Sequence, residues 1–560
     1  MNRLIYLTFI FLHASLLPGG AETDAPVYYQ PVTERKPTTM ESEVVVYGGT
    51  SAGSIAAIQA ARLGRKTTLI SFNQHVGGLT SGGLTASDLG KSETIGGLAL
   101  EFYQRIGAKT QFSSAAAEAL YRKMLDEAGV TVRLGQPLES VEMLGSRIVS
   151  ATFETGLTVK GAVFIDATYE GDLMAAAKVS YTVGREPRGT YNEPLAGQWQ
   201  TISWKDTYQF CRLPISPYVV PDDPASGLLP EISPHPSGKP GEGDYRVQAY
   251  NFRMNLSNKE GRIPFPKPKG YDAARYGLLG RFLNFDPKIE WKLNYTVKPM
   301  TDGPVQMQNG DSNNAGSFSS DLVDGSHRWP DGTFEPISFS EMQAPRRGLT
   351  MPLHELYQLR GRIYQDHITY QQGLLYFLAN DPQVPTELRE RVAKFGLDPN
   401  EFKETGHWPH QLYIREGRRM VSDYVMTQAD CEGKRVAEDS IGLASYPMDS
   451  HFCQRVVVEE NGKITVRNEG GFGGHSPGPY PVSYRSIVPK KAECENLLAP
   501  VSLSASHVAF GSIRMEPVFM ILGQSAGTAA VLAIEAKQAV QDLPNAKLKE
   551  LLLKQGQHLR

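Results

Sequence analysis

Three histidines are candidates for moving a proton. His451 ends the segment SYPMDSH, His507 lies within SASHVAF, and His475 lies within GGHSPG. Histidine titrates near neutral pH, and deprotonation of a hydroxyl group needs a base of this kind. The same residue type also serves structural and surface roles, so the pattern alone leaves both roles open.

Four arginines are candidates for binding an anion. Arg514 lies two residues before Glu516 in SIRMEP, so it either forms an ion pair with Glu516 or stabilises an anionic group during a reaction. Arg415, Arg418 and Arg419 are expected to share one helix. We interpret them as a solvated helix face; the alternative is a carboxylate clamp, which uses the same residue type.

The segment VQAYNFRMNL alternates in the manner of a strand. Alternation sends Tyr250 and Phe252 to one face and Asn251 and Arg253 to the other. One face packs and the other is available to a substrate, so Tyr250, Asn251 and Arg253 are candidate substrate residues. The polar loop at 311–314 is interpreted as an Asx-rich turn, with a loop over the same pocket as the alternative.

A strand, a glycine turn, a helix and a second strand follow one another between residues 44 and 72. Gly48 and Gly53 match the first and third glycines of the fingerprint G-x-G-x-x-G, while Thr50 takes the place of the second. Such a βαβ unit presents backbone N–H groups and the positive end of a helix to a diphosphate. The sequence therefore predicts a dinucleotide-binding turn.

Two further glycine-rich segments are expected to reach the same ligand. The run VGGLTSGG (76–83) directly follows the second strand, and its glycines let the backbone lie against a planar ring or a diphosphate. The segment ILGQSAGT (521–528) is expected to open another Ala-rich helix. The N-terminus of that helix would direct N–H groups at the ligand.

These motifs resemble those of the FAD-dependent oxidoreductase family, bacterial flavoproteins with a glutathione-reductase-like FAD-binding fold. The matching segments are YGGTSAGSIAAIQAARLG (47–64), GGLTSGGL (77–84), DATYEGDLMAAA (166–177), YRVQAYNFRMNL (245–256), DSIGLASYPMDSH (439–451) and ASHVAFGSIRMEPVFMILGQSAGTAA (505–530). The resemblance implies noncovalently bound FAD. The residues that it assigns to the FAD site are Gly48, Gly49, Thr50, Ser51, Ala52, Gly53, Ser71, Gly77, Gly78, Thr80, Ser81, Ala167, Thr168, Gly171, Gly523, Ser525 and Ala526.

The adenosine end is where this sequence departs from the family pattern. Ser71 stands where many relatives have an acidic residue that holds the ribose, so Asn73 or Gln74 is expected to take that role. The backbone at Gly135 is expected to reach the adenine. At the other end of the cofactor, Gly523 is expected to approach the flavin.

The resemblance also implies a reaction. A flavin carries out the hydride chemistry, while the protein positions the substrate and supplies a base. The prediction is an enzyme that transfers a hydride from a small polar substrate, including carbohydrate derivatives, to FAD. His451 and His507 lie in matching segments and are preferred to His475 as catalytic residues, together with Arg514.

Two other functions stay open. One is a glycan-binding or polysaccharide-lyase-like protein with a vestigial flavin or none, and the other is a flavoprotein that only passes electrons to a membrane partner. A second glycine-rich βαβ fingerprint does not occur in the sequence, so a built-in NAD(P)H domain is not expected. The electron acceptor is then oxygen or a partner protein.

The predicted fold class is α/β, with a Rossmann-like FAD-binding domain built from N- and C-terminal segments and an inserted α+β substrate domain. Helices are expected at 115–128, 410–430 and 517–537, a hairpin at 141–159, and further strands near 130, at 162–167 and at 496–501. The expected units are a lead-in (22–42), a first FAD-binding part (43–190), an inserted substrate region (191–480), a second FAD-binding part (481–540) and a tail (541–560).

The first 21 residues have the three-part layout of a secretory signal peptide. Arg3 supplies a positive charge, residues 4–17 are apolar, and Pro18 to Ala21 supply small residues for cleavage. The mature chain is therefore expected in the periplasm or outside the cell, with no stable membrane span. The apolar run is short for a spanning helix of ~20 residues.

Composition and charge exclude several other classes of protein. Hydrophobic residues make up 41% of the 560, which is typical of a folded protein and excludes a disordered or fibrous one. A net charge of −3 gives no basic field for nucleic acid, and no metal site is predicted, because no CxxC pair occurs. Cys431 and Cys453 either form a disulfide or remain buried thiols.

Overall fold

The computed structural model describes residues 26–84, 87–108, 112–199, 213–234, 236–285 and 352–560, together with three two-residue strands between 286 and 351. The signal-peptide segment, Cys211 and the polar loop at 311–314 lie outside the described residues.

The strands are β1 (Thr38–Tyr47), β2 (Thr67–Ile70), β3 (Thr131–Arg133), β4 (Leu138–Leu144), β5 (Arg147–Phe153), β6 (Leu157–Asp166), β7 (Tyr181–Thr182), β8 (Asn251–Phe252), β9 (Met254–Ser257), β10 (Met307–Gln308), β11 (His327–Arg328), β12 (Phe334–Glu335), β13 (Gly396–Leu397), β14 (Leu412–Tyr413), β15 (Arg419–Met420), β16 (Ser440–Ala444), β17 (Met448–Ser450), β18 (Gln454–Glu460), β19 (Lys463–Glu469), β20 (Phe472–Gly474), β21 (Tyr480–Ser483) and β22 (Leu497–Leu498).

The α-helices are α1 (Ser51–Arg62), α2 (Gly97–Ile106), α3 (Ser114–Glu127), α4 (Asp172–Ala176), α5 (Arg188–Tyr191), α6 (Gly277–Phe285), α7 (Leu353–Asn380), α8 (Thr386–Ala393), α9 (Gln428–Cys431), α10 (His507–Ile513), α11 (Glu516–Ala536) and α12 (Asn545–Lys554).

The main sheet has the order β3-β2-β1-β6-β5-β4, with β22 also paired to β6. Strands β3, β2, β1, β6 and β22 run parallel, whereas β4 and β5 form an antiparallel extension. Tyr47 lies opposite both Ile70 and Asp166. The carboxyl ends of β1, β2 and β6 therefore meet at one edge of the sheet, which is where open α/β sheets bind ligands. The predicted α/β class with a parallel sheet is confirmed.

Local predictions near the sheet succeed where the hydrophobic pattern is strong. Helix α3, strand β3 and strand β22 lie where helix 115–128 and strands near 130 and 496 were predicted. The expected hairpin at 141–159 is present as the antiparallel pair β4 and β5. Its expected end at 159 is wrong, because residues 157–159 already belong to β6, which runs from Leu157 to Asp166. Its outer half pairs with β5, and its inner half pairs with β22.

The helix predicted over 410–430 is wrong. The structure has two short strands here, β14 and β15, followed by the single-turn helix α9. β14 pairs with β8 and β15 pairs with β7. The spacing of Arg415, Arg418 and Arg419 imitates a helix face, but Arg418 and Arg419 form ion pairs and Arg415 bonds Ala249 and Asn251.

Helix α11 is the core helix of the cofactor-binding half, and it packs along α1. The backbones approach closely, since a Cβ added at Gly523 would lie 2.3 Å from the carbonyl oxygen of Ala52, and one at Gly527 would lie 2.5 Å from that of Ala56. By length and composition α11 could also cross a membrane, contrary to the expectation from sequence. However, 94% of its most apolar window is buried inside the protein, so packing accounts for its apolarity.

Both ends of the described chain pack on the core. β1 begins at Thr38 and Tyr29 is buried, so structure begins inside the segment expected as a lead-in. At the other end, Leu548 and Leu552 of α12 are buried, and Gly556 accepts a hydrogen bond from the backbone of Gly97. The segment expected as a tail is thus a packed helix and its extension.

Candidate active site

The glycine turn lies between the end of β1 and the start of α1. Gly48 has φ of +113°, and a Cβ there would lie 2.5 Å from the carbonyl carbon of Ala167. A Cβ at Gly53 would lie 1.9 Å from the carbonyl oxygen of Gly48. Thr50 caps α1 by accepting from the N–H of Gly53 and donates to the carbonyl of Ala167 at 2.7 Å. The turn is thereby fixed against β6, with the N-terminus of α1 directed at the sheet edge.

A narrow cleft of about 70 Å³ lies at this edge. Ser71, Asn73 and Thr168 line it at the ends of β2 and β6. The Ser71 hydroxyl donates to Asn73 Oδ1 at 3.0 Å, and the carbonyl of Asn73 accepts from the N–H of Gly135. The end of β2 has no acidic side chain, but two acidic residues that follow β6, Glu170 and Asp172, line the cleft. The other lining residues are Val27, Tyr28, Tyr47, Gly48, Gly49, Thr50, Phe72, Gly78, Tyr169, Tyr364, His410, Gln411, Leu412 and Ile414.

The second glycine run folds back over the turn. The N–H groups of Gly77 and Gly78 both donate to the carbonyl of Gly49. A Cβ at Gly78 would lie 2.3 Å from the Tyr169 hydroxyl, which also accepts from the N–H of Leu79 at 2.8 Å. Ser81 is buried and donates to the carbonyl of Val76. Glycines are therefore required here by backbone contact with β1 and with the segment after β6.

The helix predicted at 517–537 is confirmed as α11, but it begins at Glu516 and not at the segment 521–528 that was expected to open it. The Glu516 carboxylate accepts from Ser51 at 2.6 Å, from Thr80 at 2.9 Å and from Tyr169 at 2.7 Å. This single side chain ties α11 to the glycine turn, the second glycine run and the end of β6. Because it is buried, desolvation raises the pKa of Glu516, and its three hydrogen bonds offset only part of that effect.

The predictions for Gly523, Ser525 and Ala526 are corrected accordingly. These residues lie inside α11 and not at its N-terminus. Gly523 packs on Ala52, and Ser525 donates to the carbonyl of Ile441 at 2.6 Å. Ala526 is fully buried. Their small size serves helix packing, so the residue at the helix start is Glu516, which sequence reasoning treated only as an ion-pair partner.

A histidine–carboxylate dyad is buried near the start of α10. His507 Nδ1 lies 2.8 Å from the Glu416 carboxylate, and its Nε2 lies 3.3 Å from the Ser450 hydroxyl. Burial alone would raise the pKa of Glu416, but the charges of His507 and Arg419 outweigh it and lower the pKa. Gln248 also donates to Glu416. In the neutral imidazole, donation from Nδ1 to Glu416 leaves Nε2 as a proton acceptor.

A second ionic cluster surrounds Tyr413. Arg514 donates to the Tyr413 hydroxyl at 2.5 Å and to Asp449 Oδ2 at 3.2 Å, and His451 Nε2 lies 3.4 Å from the same Asp449 oxygen. Arg253 stands 5.3 Å from the centre of the Tyr413 ring. The predicted pairing of Arg514 with Glu516 is therefore wrong, because each side chain has other partners in the core.

The predicted substrate residues join the same region but are buried. Asn251 accepts from Arg415 at 3.0 Å, and the Tyr250 hydroxyl donates to the carbonyl of Glu416. Arg253 is 4% exposed, so the expectation of one packed and one open face does not hold. These residues support the dyad and the Tyr413 cluster.

The three clustered arginines do not form a solvated face. Arg418 pairs with Asp172, and Arg419 pairs with both Glu186 and Glu416. All three arginines, including Arg415, are at most 4% exposed. Burial is possible because carboxylates surround them.

His475 is exposed, which fits its interpretation as a surface residue. Cys431, Cys453 and Cys494 are separate buried thiols, so the alternative of a disulfide between Cys431 and Cys453 is excluded.

His75, Glu118 and His410 lie close enough together to be considered for a metal ion. However, the rings of His75 and His410 are stacked 3.5 Å apart at 4°, and parallel rings direct their in-plane lone pairs side by side. They do not converge on one ion.

Several site residues were missed from the sequence. Tyr413 and Glu416 lie in segments without a motif, and Asp449 lies in the matching segment 439–451 but was not singled out. The main partners of all three are distant along the chain. The only available signal was that Glu416 interrupts a run of arginines and that Asp449 comes two residues before His451.

Comparison with known proteins identifies the class. The sequence matches the model of the FAD dependent oxidoreductase family over residues 43–552. The chain belongs to this family. FAD is therefore its cofactor, and oxidation–reduction is its type of reaction. No curated protein sequence matches the chain.

Three solved structures are similar to part of the chain. THI4 from Thermovibrio ammonificans has 18% identity and a TM-score of 0.21, and the match covers 26% of this chain and 66% of that one. A variant of NikD, described as an unusual amino acid oxidase, has 14% identity, a TM-score of 0.22 and coverage of 26% and 57%. Thioredoxin reductase from T. acidophilum has 20% identity, a TM-score of 0.17 and coverage of 23% and 35%. The chain thus spans 66% or less of each.

The residues at the sheet edge fit the nucleotide part of FAD. The N-terminus of α1 suits a diphosphate, since the first turn of a helix leaves N–H groups without helical partners and carries a partial positive charge. The cleft continues to Ser71 and Asn73, which can bond ribose hydroxyls. An added Cβ at Gly48, Gly49 or Gly78 would collide with Ala167, Ser71 or Tyr169, so glycine lets these residues lie together along the cleft.

Proposed function

We propose that the protein is an exported FAD-dependent oxidoreductase that oxidises a small polar substrate bearing a hydroxyl group, with carbohydrate derivatives among the candidates. Family membership gives the cofactor and the type of reaction. The observation that carries the substrate side is the His507–Glu416 dyad, because a buried base oriented by a carboxylate is what deprotonation of a hydroxyl requires.

The dyad has a defined division of roles. Glu416 holds one proton on His507 Nδ1, so that Nε2 accepts the substrate's hydroxyl proton either directly or through the Ser450 hydroxyl 3.3 Å away. FAD, when bound, supplies an acceptor for the hydride that leaves the neighbouring carbon. The substrate loses one proton, which stays on His507, and one hydride. Together these amount to two electrons and two protons.

The arginines around Tyr413 supply positive charge to the same region. Arg253 and Arg415 lie 5.3 Å and 4.7 Å from the centre of the Tyr413 ring, and Arg514 bonds its hydroxyl. Preorganised positive charge stabilises an alkoxide or another anionic group as it forms. His451, held beside Asp449, is the competing proton acceptor.

Rapid-mixing kinetics test this proposal. The FAD-loaded enzyme is mixed anaerobically with sugars, sugar alcohols, hydroxy acids and amines, and flavin bleaching is followed. For a substrate that bleaches the wild type, we expect His507→Gln to slow reduction by about 10²- to 10⁴-fold.

The controls separate chemistry from folding. His475→Gln changes an exposed histidine, and its flavin should be reduced at the wild-type rate. FAD content and thermal unfolding show whether His507→Gln is folded. If the flavin of His507→Gln is reduced at the wild-type rate and the flavin of His451→Gln is reduced slowly, the base is His451. Reduction by amines alone would exclude a hydroxyl substrate.

The proposal also includes the destination and the electron acceptor. The proposal of export is supported by the charged and apolar layout of residues 1–21. The mature chain would then be located in the periplasm or outside the cell. The acceptor is oxygen or a partner protein, because the sequence holds one glycine-rich βαβ fingerprint and not two. The alternative of a glycan-binding or lyase-like protein without flavin is disfavoured by family membership.

A further inference from the structure

A second cavity lies outside the cofactor cleft. Its volume is about 430 Å³, compared with about 70 Å³ for the nucleotide cleft, and it falls within the range of ~300–1,000 Å³ that is typical of ligand pockets. It is formed by β7, the segment from 183 to 191, residues 243–245 and Val421. Neither the glycine turn nor Tyr413 takes part in it.

Three tyrosines form most of its aromatic surface. Tyr181, Tyr191 and Tyr245 are each partly exposed. Two hydroxyl side chains, Thr182 and Thr190, also line the cavity. Tyrosine offers a flat apolar face and a polar edge within one side chain. A ligand with apolar C–H faces and a rim of hydroxyl groups matches both.

The charged groups at the floor of the cavity are balanced. Arg185 bonds Asp244 at 2.8 Å and Glu469 at 2.7 Å through separate nitrogens. Glu186 pairs with Arg419 at 2.7 Å and also accepts the N–H of His507 at 3.0 Å. Each carboxylate that lines the cavity therefore has a cationic partner, which disfavours a charged ligand. Paired carboxylates still have lone pairs that accept from neutral hydroxyl groups.

The cavity is joined to the dyad by direct contacts. Glu186, in its floor, contacts the backbone of His507 and the side chain of Arg419, and Arg419 lies 3.1 Å from Glu416. A ligand held at Glu186 is thus separated from His507 by Glu186 alone and from Glu416 by Glu186 and Arg419, so it would not contact the dyad.

We propose that this cavity is a binding site for a neutral saccharide, held by stacking on Tyr181, Tyr191 and Tyr245 and by hydrogen bonds to Glu186 and Asp244. The site is distinct from the cofactor cleft and from the proton-accepting dyad. Binding here needs no turnover, so it can be established even if the proposed oxidation fails.

Calorimetry and saturation-transfer NMR on the FAD-loaded full chain test the proposal. The probes are the methyl glycosides of glucose, galactose and mannose, the disaccharides maltose and cellobiose, and glucuronate as a charged analogue. We expect at least one neutral probe to bind and to bind more tightly than glucuronate. Tyr245→Ala and Tyr191→Ala should each weaken it on the order of tenfold, the loss expected for one stacking ring.

Matched variants keep the outcome decisive. Tyr245→Phe keeps the ring and should retain most of the affinity, and Tyr218→Ala removes a partly exposed tyrosine elsewhere and should bind as the wild type does. Thermal unfolding confirms that each variant is folded. The proposal is overturned if no neutral probe binds, if glucuronate binds more tightly than the neutral probes, or if both alanine variants bind like the wild type.

Discussion

At the scale of single residues, the site depends on buried carboxylates whose partners decide their charge. Glu416 is surrounded by cations and is held ionised, whereas Glu516 is surrounded by neutral hydroxyl groups and its pKa is raised by burial. The two residues belong to the same type, but only the first can orient an imidazole through its charge. The second connects α11 to the glycine turn through the hydrogen bonds that it accepts.

The raised pKa of Glu516 leads to a prediction for Glu516→Gln. A group whose folded pKa lies above its unfolded value of 4.5 binds more protons in the native state, so stability falls as pH rises through the folded pKa. Glutamine has no such dependence. We expect the unfolding free energy of the wild type to fall relative to that of Glu516→Gln as pH rises above 4.5, as measured by urea unfolding.

An alanine variant shows whether the hydrogen bonds themselves matter. Glu516→Ala leaves the hydroxyls of Ser51, Thr80 and Tyr169 without their acceptor, which should cost about 1–3 kcal/mol and weaken FAD binding measured by fluorescence. Equal stability of the alanine and glutamine variants at every pH would show that Glu516 is not a connector.

At the scale of elements, the cofactor-binding half is held by two helices that touch through glycine. Helices α1 and α11 come from opposite ends of the chain, and Gly523 and Gly527 let their backbones meet. Such close contact positions the start of α11, and with it Glu516, beside Ser51. The N-terminus of α1 and that of α11 therefore depend on one packing contact.

Substituting Gly523 tests this contact. Gly523→Ala places a Cβ 2.3 Å from the carbonyl oxygen of Ala52, and overpacking of this kind costs about 1–3 kcal/mol. We also expect weaker FAD binding, since α1 must shift.

Gly361→Ala is the matched control for this substitution. Gly361 lies inside α7 with nothing within 4 Å of the added Cβ, so the substitution should stabilise the protein by about 0.5–1 kcal/mol. Both changes are read from chemical unfolding. A neutral or stabilising Gly523→Ala would mean that the helices adjust freely.

At the scale of the whole molecule, nearly the entire chain belongs to one family match, from residue 43 to 552. The parallel sheet near the N-terminus and the last long helix near the C-terminus complete each other, and residues between them provide Glu416, Asp449 and the second cavity. A chain proposed for export must bring these distant parts together after it has crossed the membrane.

Export predicts a defined mature N-terminus. The full chain, expressed in a Gram-negative host, should appear in the periplasmic fraction with Glu22 as its first residue, as read by mass spectrometry. Leu12→Arg places a charge in the apolar run, at about 2.5–3.5 kcal/mol on the insertion scale, and should retain the uncleaved chain in the cytoplasm. Val32→Arg, beyond the cleavage position, should be exported normally. Finding the wild-type chain uncleaved in the cytoplasm would contradict export.

The sequence by itself determined the features that local chemistry dictates. The glycine turn at Gly48, the strand before it and the helix after it depend on φ angles, hydrophobic periodicity and capping, which neighbouring residues set. The family match and the FAD cofactor follow from those motifs. The N- and C-terminal halves of the sheet were also foreseeable, because continuous apolar runs predict buried parallel strands.

Only the tertiary structure decided the partners of the charged residues. Arg415, Arg418 and Arg419 have helical spacing and yet are buried in strands and loops, because Asn251, Asp172 and Glu186 lie opposite them. His507 was already a candidate base, but its carboxylate partner Glu416, 91 residues earlier, was found only in the structure. Gly523 proved to be a packing contact because α11 begins at Glu516. Charge pairing and helix packing act across space, where sequence spacing carries no information.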